Sequence, residues 1–533
     1  MTGMGPRERL SLRYVLTALF FLLVAGLEGM LMESRLAGFL ADYYVPEKWY
    51  SMLTAHPFVG IYGWAYMAVM GAFYYLVPHV LKRDLYSERV ARISYWMMVG
   101  GVLVVWGSGF FLDFGALYTL YWPLPVISFP ASSLLPFSVG MLLIFISVLA
   151  FFFNMFATIF LVKGSENEGV GTGRKAGYVA TQLLTTAFNI DKAKAVARGA
   201  KDYTARVYNY PVFVVGVFRG CVDTTINALI MAGTAGLLAA YSISSLLGVA
   251  LSPSLVDPLW YKNVFWWGLD MIADGNVLIF TAAVWYFLTP LLTGRKLYAE
   301  QVVRTVILAD LVVSLGVWGH HMMADTPQPT LLLIEGQIVT WGELVTMGLT
   351  MFAVLMTIWK ARPVKYSAPL IAVLLSMAGY AIGGSGGIIQ ANYALNRYIH
   401  NTMWVIGIHA HIQLLAGLTL TIFAVIFALA PILTGKGMGS KLASAQLLLW
   451  FSGAMVMGVD WGLAGVAGML RRWIYLDGAY AGYMDVGLIG GVLMGTAFLL
   501  FLYNFLKTYG IGAIVAAFRG EKAQTGLNVV SSA

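Results

Sequence analysis

Long apolar stretches, separated by short charged segments, constrain this chain more than any other feature. About 20 apolar residues are needed to cross the hydrocarbon of a bilayer. Twelve stretches meet that requirement, at 12–33, 56–81, 93–113, 135–162, 222–248, 258–290, 301–322, 338–359, 369–393, 400–432, 443–468 and 482–508. In lipid, backbone polar groups must be satisfied within the segment, so spans of this kind read as helices. With 59% hydrophobic and only 11% charged residues, no intervening segment is large enough to bury a soluble core. The expectation is an all-α polytopic membrane protein with one membrane-embedded domain over 1–533.

The basic residues test this count independently. If the N-terminus lies inside, 26 of the 33 Lys and Arg fall in segments that should be cytoplasmic. Arg35, Lys48, Lys262, Arg397, Arg471 and Arg472 fall outside, and Arg219 sits at the start of the fifth span. That bias follows the positive-inside rule. It predicts twelve helices with both termini cytoplasmic. The net charge of +8 is then mostly a topological signal, and there is no basic stripe for nucleic acid. Arg7, Arg9 and Arg13 precede the first span, but no small-residue cleavage site closes it, so it reads as a retained helix. The polar segment 163–210 reads as a cytoplasmic loop insert, with a surface helix against anionic lipid or a partner subunit as the alternative. A short cytoplasmic tail covers 510–533.

Cys221 is the single cysteine. An intrachain disulfide, a thiolate metal cluster and a C-x-x-C-H haem attachment are therefore excluded. Against this apolar background the stretch FWWGLDMIADGN places two carboxylates, Asp270 and Asp274, inside the sixth span. A charge at the bilayer centre costs about 2.5–3.5 kcal/mol on insertion scales, and such residues are usually functional.

The seven histidines are not scattered. His56 lies at the outer end of span II, His320 and His321 at the outer end of span VII, and His409 and His411 nine and eleven residues into span X. Asp270 lies about twelve residues into span VI, so five histidines and a carboxylate converge on the outer half of the membrane, with His79 apart at the inner end of span II. Imidazole is the commonest metal ligand. His409 and His411, two positions apart, point to opposite sides of their helix, so one helix can serve two sites. His320 and His321 are about 100° apart on an ideal helix, so both reach one metal only at a helix end or distortion.

These residues carry a resemblance to the catalytic subunit of the haem-copper oxidase and nitric oxide reductase superfamily, whose core is a twelve-helix bundle. GGSGGIIQAN (383–392) followed by HNTMWVIGIHAH (400–411) resembles its paired-glycine helix IX and its helix X with two haem ligands. WGHHM matches the helix VII histidine pair, GMLRRW is similar to the arginine pair that holds haem propionates, and TAHPFVGIYGWAYMAVMGAFYYLVP resembles helix II of the reductase branch. The resemblance implies a low-spin haem on His56 and His411, a high-spin haem on His409, a non-haem metal (copper or iron) on His320 and His321, and propionates on Arg471 and Arg472. A calcium or magnesium ion near His400 and Asn401 is a further candidate. It also implies a prokaryotic cytoplasmic membrane, and electrons from a small cupredoxin-like or cytochrome c-type subunit or from quinol. The glycines of GGSGG admit either close approach of a macrocycle or helix packing through small residues.

The sequence departs from the family at span VI. A third metal-ligating histidine is implied shortly after the Trp266–Trp267 pair, but span VI contains none, and the matching position is Asp270. Two histidines and a carboxylate are a sound site for non-haem iron, and copper remains open; Asp274 or Asn276 could supply the ligand if the register shifts. The family's oxidases also place a tyrosine near that metal, on helix VI or VII. Here Asp274 stands four residues after Asp270, and span VII has no tyrosine. The leading expectation is therefore a denitrification-type reaction, 2 NO reduced to N2O and water, with Asp274 and Glu343 as proton-path acids and Glu28, Asp310 and Asp460 as weaker ones. A divergent oxygen-reducing terminal oxidase is the alternative. Less favoured are a nitric oxide dismutase-like enzyme, which the retained His56 and His411 pair argues against, and a twelve-span transporter, which would show two related halves.

Overall fold

A computed structural model describes residues 4–40, 45–162, 210–325 and 328–519. The insert at 163–210 therefore lies outside the described residues except for Tyr210, and the last fourteen residues of the tail lie outside them too. Among the described residues, twelve helices cross the bundle. They are α1 (Pro6–Leu36), α2 (Pro46–Val80, in three consecutive pieces), α3 (Glu88–Leu112), α4 (Ala131–Phe160), α5 (Val212–Leu246), α6 (Pro258–Thr293), α7 (Glu300–Met322), α8 (Thr330–Lys360), α9 (Ala368–Gln390), α10 (Val405–Thr434), α11 (Ser440–Val466) and α12 (Ala481–Phe518). All are long and apolar enough to span a membrane unbroken except α2. It is interrupted after Pro57 by a π-helical stretch, Phe58–Tyr66, but continues to Val80.

Local chemistry sets the ends. Asp257 caps α6 by accepting from the Trp260 amide at 2.7 Å, with Pro258 in the first turn, where its missing N–H costs nothing. Ser87 caps α3 in the same way through the Val90 amide. Several helices begin before the expected spans, as α1 does at Pro6 and α8 at Thr330. At the inner surface the Arg13 side chain donates to the Ala517 carbonyl at 2.7 Å, so the start of α1 and the end of α12 share one face. That agrees with an even number of crossings. The tail is not irregular at its start: α12 continues past a break at Gly510 (φ 74°) to Phe518.

Without a hydrophobic force between helices in lipid, close packing depends on small residues. A Cβ at Gly101 of α3 would lie 2.7 Å from the Gly140 carbonyl of α4, and one at Gly140 would lie 2.9 Å from the Gly101 carbonyl. The two backbones touch because neither carries a side chain there.

Three π-helical stretches break the regular ladder: Phe58–Tyr66 in α2, Ala273–Ile279 in α6 and Val405–Leu418 in α10. The first follows His56, the second contains Asp274, and the third contains His409 and His411. π-Bulges are rare and cluster at functional sites.

Candidate metal centre

The end of α7 tightens into a 3-10 turn over Val317–Met322. This is the distortion that the adjacent histidines require, and it brings both toward α6. His320, His321 and Asp270 offer ligand atoms that all lie within 4.8 Å of one another. His321 Nε2 is 3.2 Å from Asp270 Oδ1, and the rings of His320 and His321 are 4.1 Å apart. His320 and Asp270 are buried. Asp270 is thus the span VI acid that the histidine pair meets, and Asp274 does not stand in that group.

The surroundings orient these side chains. The hydroxyl of Thr340 on α8 lies 3.2 Å from His320 Nδ1 while donating to the Gly336 carbonyl at 2.6 Å. With that hydrogen committed, the hydroxyl accepts from Nδ1–H and leaves Nε2 free to ligate. Asn396 donates to the His320 carbonyl at 2.7 Å. Trp266 stacks on His321 with centroids 4.4 Å apart, and its indole N–H donates to the Tyr121 hydroxyl at 2.8 Å. Sequence reading missed Thr340, Asn396 and Tyr121, which come from distant helices and loops and carry no spacing signal.

Three buried polar atoms in the cluster have no hydrogen-bond partner: His320 Nε2, His321 Nδ1 and Asp270 Oδ2. Buried polar atoms are seldom left so. A cation bound by two imidazoles and a carboxylate satisfies such a set, so the residues fit a non-haem metal.

On α10 the two histidines diverge as expected. His409 Nδ1 donates to the Gly383 carbonyl at 2.9 Å, and its ring lies 6.2 Å from that of His320. His411 Nδ1 donates to the Ile406 carbonyl at 2.8 Å, a reach of five residues that the π-helix makes available, and its ring meets Trp461 at 4.8 Å. In both, Nε2 is left over for a ligand. Gly386 and Gly387 resolve one open question: a Cβ at either would lie 2.9 Å from a His409 atom. These glycines admit α10 and its imidazole to α9, so the helix-packing role is the one seen for Gly383, Gly386 and Gly387.

His56 faces Glu28 of α1, its Nδ1 3.8 Å from the carboxylate. His56 and His411 are near enough to interact electrostatically. His79 lies apart, stacked on Tyr75. In the outer loop after α11, both guanidinium groups lie 5.9 Å above the Trp266 ring. Arg471 donates to Asn401 Oδ1 at 3.0 Å and Arg472 to the Tyr118 hydroxyl at 3.1 Å, while the Nε of each is buried without a partner. Burial pushes Arg471 down to about 10. Two such cations with orphaned donors suit carboxylates such as propionates. His400 Nδ1 is bonded to Gln390 Oε1 at 2.6 Å, and Asn401 is occupied by Arg471. Among the described residues no group of three or more ligating side chains other than the Asp270 triad gathers.

Inward from the triad lies a second polar cluster. Glu343 of α8, Asp274 of α6 and Asp310 of α7 are near enough to one another to interact electrostatically. Arg219 of α5 pairs with Asp223 at 2.6 Å and Asp310 at 3.3 Å and donates to Ser314. Thr346 donates to Asp310. Deeper still, the hydroxyls of Thr350 and Tyr286 are hydrogen-bonded at 2.7 Å.

A twelve-helix bundle with histidines facing one another from α2, α7 and α10, and an arginine pair above them, is the architecture of a haem- and metal-binding membrane oxidoreductase. Residues 9–493 match the family model described as cytochrome c and quinol oxidase polypeptide I. The chain belongs to this haem-copper oxidase subunit I family, whose members bind haem and copper and take part in respiratory electron transport. It is similar to cytochrome c oxidase subunit 1 of Thermus thermophilus, 30% identical over 281 residues, or 47% of this chain and 48% of that protein. It is also similar to cytochrome c oxidase polypeptide 1 of Halobacterium salinarum, 23% identical over 91% of this chain and 75% of the relative. A haem-copper terminal oxidase dimer solved by cryo-electron microscopy shares the fold, with a TM-score of 0.72, 20% identity, and coverage of 99% of this chain and 86% of that one. Family membership removes the transporter alternative. The narrower expectation of a nitric oxide reductase branch is not what these relatives' names carry.

Proposed function

We propose that this protein reduces two molecules of nitric oxide to N2O and water, 2 NO + 2 e⁻ + 2 H⁺ → N2O + H2O. The observation that carries the reading is the meeting of Asp270 with His320 and His321, with the further acids Asp274 and Glu343 beside it. The resemblance implies, for oxygen-reducing members, a histidine on this helix and a tyrosine on helix VI or VII; this chain has two aspartates here and no tyrosine in span VII. Full oxygen reduction needs four electrons at one site, and the extra donor is missing from the expected positions; NO coupling needs two.

In this reading His56 and His411 hold a low-spin haem, His409 a high-spin haem, and His320, His321 and Asp270 the non-haem metal, with Arg471 and Arg472 on the propionates. When bound, the haems and metal carry electrons and hold the two reacting nitrogens together, which makes a bimolecular coupling intramolecular. Thr340 and Trp266 fix the two α7 imidazoles, so the ligands are set before substrate arrives. Glu343 and Asp274 are neighbouring carboxyl groups, with Asp274 one helical turn from Asp270, so together they can pass a proton toward the site. The single cysteine places any copper or c-type haem that delivers electrons on another polypeptide, or leaves quinol as donor.

Oxygen reduction is the second reading, favoured by the relatives' names, cytochrome c oxidase in each of the two just described. Turnover of the purified protein with each gas under matched reductant decides. N2O formed at half the rate of NO loss supports the proposal; rapid four-electron oxygen consumption with negligible N2O overturns it. Iron and copper analysis per chain identifies the non-haem metal.

A further inference from the structure

Glu28 of α1 is buried, and one of its oxygens is committed: Trp106 of α3 donates its indole N–H to Oε1 at 2.7 Å. The other oxygen, Oε2, is buried with no hydrogen-bond partner. Facing it at 3.8 Å is His56 Nδ1, also buried and also without a partner. An orphaned acceptor thus stands opposite an orphaned donor. The gap exceeds a hydrogen bond, and roughly 1 Å of approach gives ordinary length. The helix backbone favours that approach, because Gly29 follows Glu28 and a Cβ there would already lie 3.7 Å from His56 Cε1.

The two histidines of α10 are treated differently. His409 and His411 give their Nδ1 hydrogens to the neutral carbonyls of Gly383 and Ile406. Of the three, His56 alone has an acid rather than a carbonyl opposite its Nδ1. A buried carboxylate is costly unless it is hydrogen-bonded and paired, and the indole supplies only one donor.

We infer that Glu28 is the positioning residue of His56, its carboxylate accepting from Nδ1–H so that Nε2 is aimed at the low-spin haem iron with increased basicity. The inference rests on the proposed haem assignment. An anionic partner makes an imidazole a stronger donor to iron and favours the oxidised state. Glu28 therefore holds the low-spin haem at a lower potential than a carbonyl partner would, which drives its electron onward to the His409 side. Trp106 keeps the carboxylate from turning away.

The test is a spectroelectrochemical titration of the purified holoenzyme and its Glu28→Gln variant, with the high-spin haem as internal reference, together with electron paramagnetic resonance of the oxidised low-spin haem. The expected result is a more positive low-spin midpoint in the variant and a rise in its largest g value, with Glu28→Asp lying between. Full haem content with neither quantity moved overturns the inference. If Glu28→Gln fails to assemble, the wild-type spectrum decides: compressed g anisotropy supports a strongly bonded imidazole, and that of an ordinary neutral pair overturns it. A wild-type protein with no bis-histidine haem signal sinks the haem assignment itself, which the first outcome leaves standing.

Discussion

His321 Nε2 of α7 lies 3.2 Å from Asp270 Oδ1 of α6, while the other ligand-type atom of each side chain is buried without a partner. An acid thus meets the histidine pair from α6, the helix on which the resemblance implies a third imidazole. The carboxylate lowers the charge of any bound cation by one and adds a hard oxygen to two nitrogens. That combination suits iron at least as well as copper.

Asp270→Ala should remove the non-haem metal and spare both haems. Elemental analysis should show metal falling from about one per chain by roughly tenfold or more, in line with the loss of a direct ligand rather than a supporting one. Asp270→His should retain metal, because imidazole is an equally good ligand. Unchanged metal content in Asp270→Ala would remove Asp270 from the site.

Thr340→Val deletes the oxygen that accepts from His320 Nδ1 while preserving shape. Loss of such an orienting partner typically costs 10–100-fold in metal affinity. Competition with a chelator should reveal that drop, with haem spectra unaltered. Equal chelator resistance in variant and wild type would show that His320 is held by its 3-10 turn alone.

Sequence made the crossings and the meeting of Asp270 with the histidine pair legible, because these rest on residue type and a fixed repeat. The twelve apolar stretches correspond to twelve helices, and Asp270 stands with His320 and His321. The distortions that make the site were only partly legible. The adjacency of His320 and His321 calls for a helix end or distortion there, but no residue spacing in α6 or α10 marks their π-helical stretches. In the α6 stretch Gly275 admits Asp223 and Thr224 of α5, a contact between distant segments that no spacing announces. The Arg219 cluster was also out of reach, since it joins residues from α5, α6, α7 and α8 that share no spacing.

Asp274→Asn and Glu343→Gln should each slow turnover with metal and haem content intact. Positioned proton donors contribute about 10²–10⁴-fold to rate, so a loss of at least tenfold is expected in kcat. Electron transfer from reductant to the haems, followed optically without substrate, should proceed at the wild-type rate. If both variants turn over normally, protons reach the site by another route.

Gly387→Ala tests the fit of α9 against the α10 imidazole. The added methyl would lie 2.9 Å from His409 Cε1, inside van der Waals contact. Overpacking of this kind costs about 1–3 kcal/mol, and here the strain falls on the proposed high-spin haem ligand. The expected outcome is loss or a changed spin state of the high-spin haem, with the low-spin α-band retained. A normal high-spin spectrum would mean that the ring turns aside without consequence.

The last prediction concerns the charge buried beneath the site. Arg219 lies between Asp223 at 2.6 Å and Asp310 at 3.3 Å, all three side chains at most 4% exposed, and it also donates to Ser314. Mutual attraction in such a cluster is set against desolvation of every member, so the cluster as a whole adds little net stability. Breaking it is another matter: Arg219→Met strands two carboxylates in a medium that cannot solvate them, at a cost of about 3–5 kcal/mol. Thermal unfolding in detergent should show that single variant sharply destabilised. Adding Asp223→Asn and Asp310→Asn removes the stranded charges, keeps polar atoms for Thr346, and should recover most of the loss. A single variant as stable as the wild type would mean that the acids do not depend on Arg219. A triple variant no better than the single would place the loss in packing, because charge balance predicts recovery and a cavity does not.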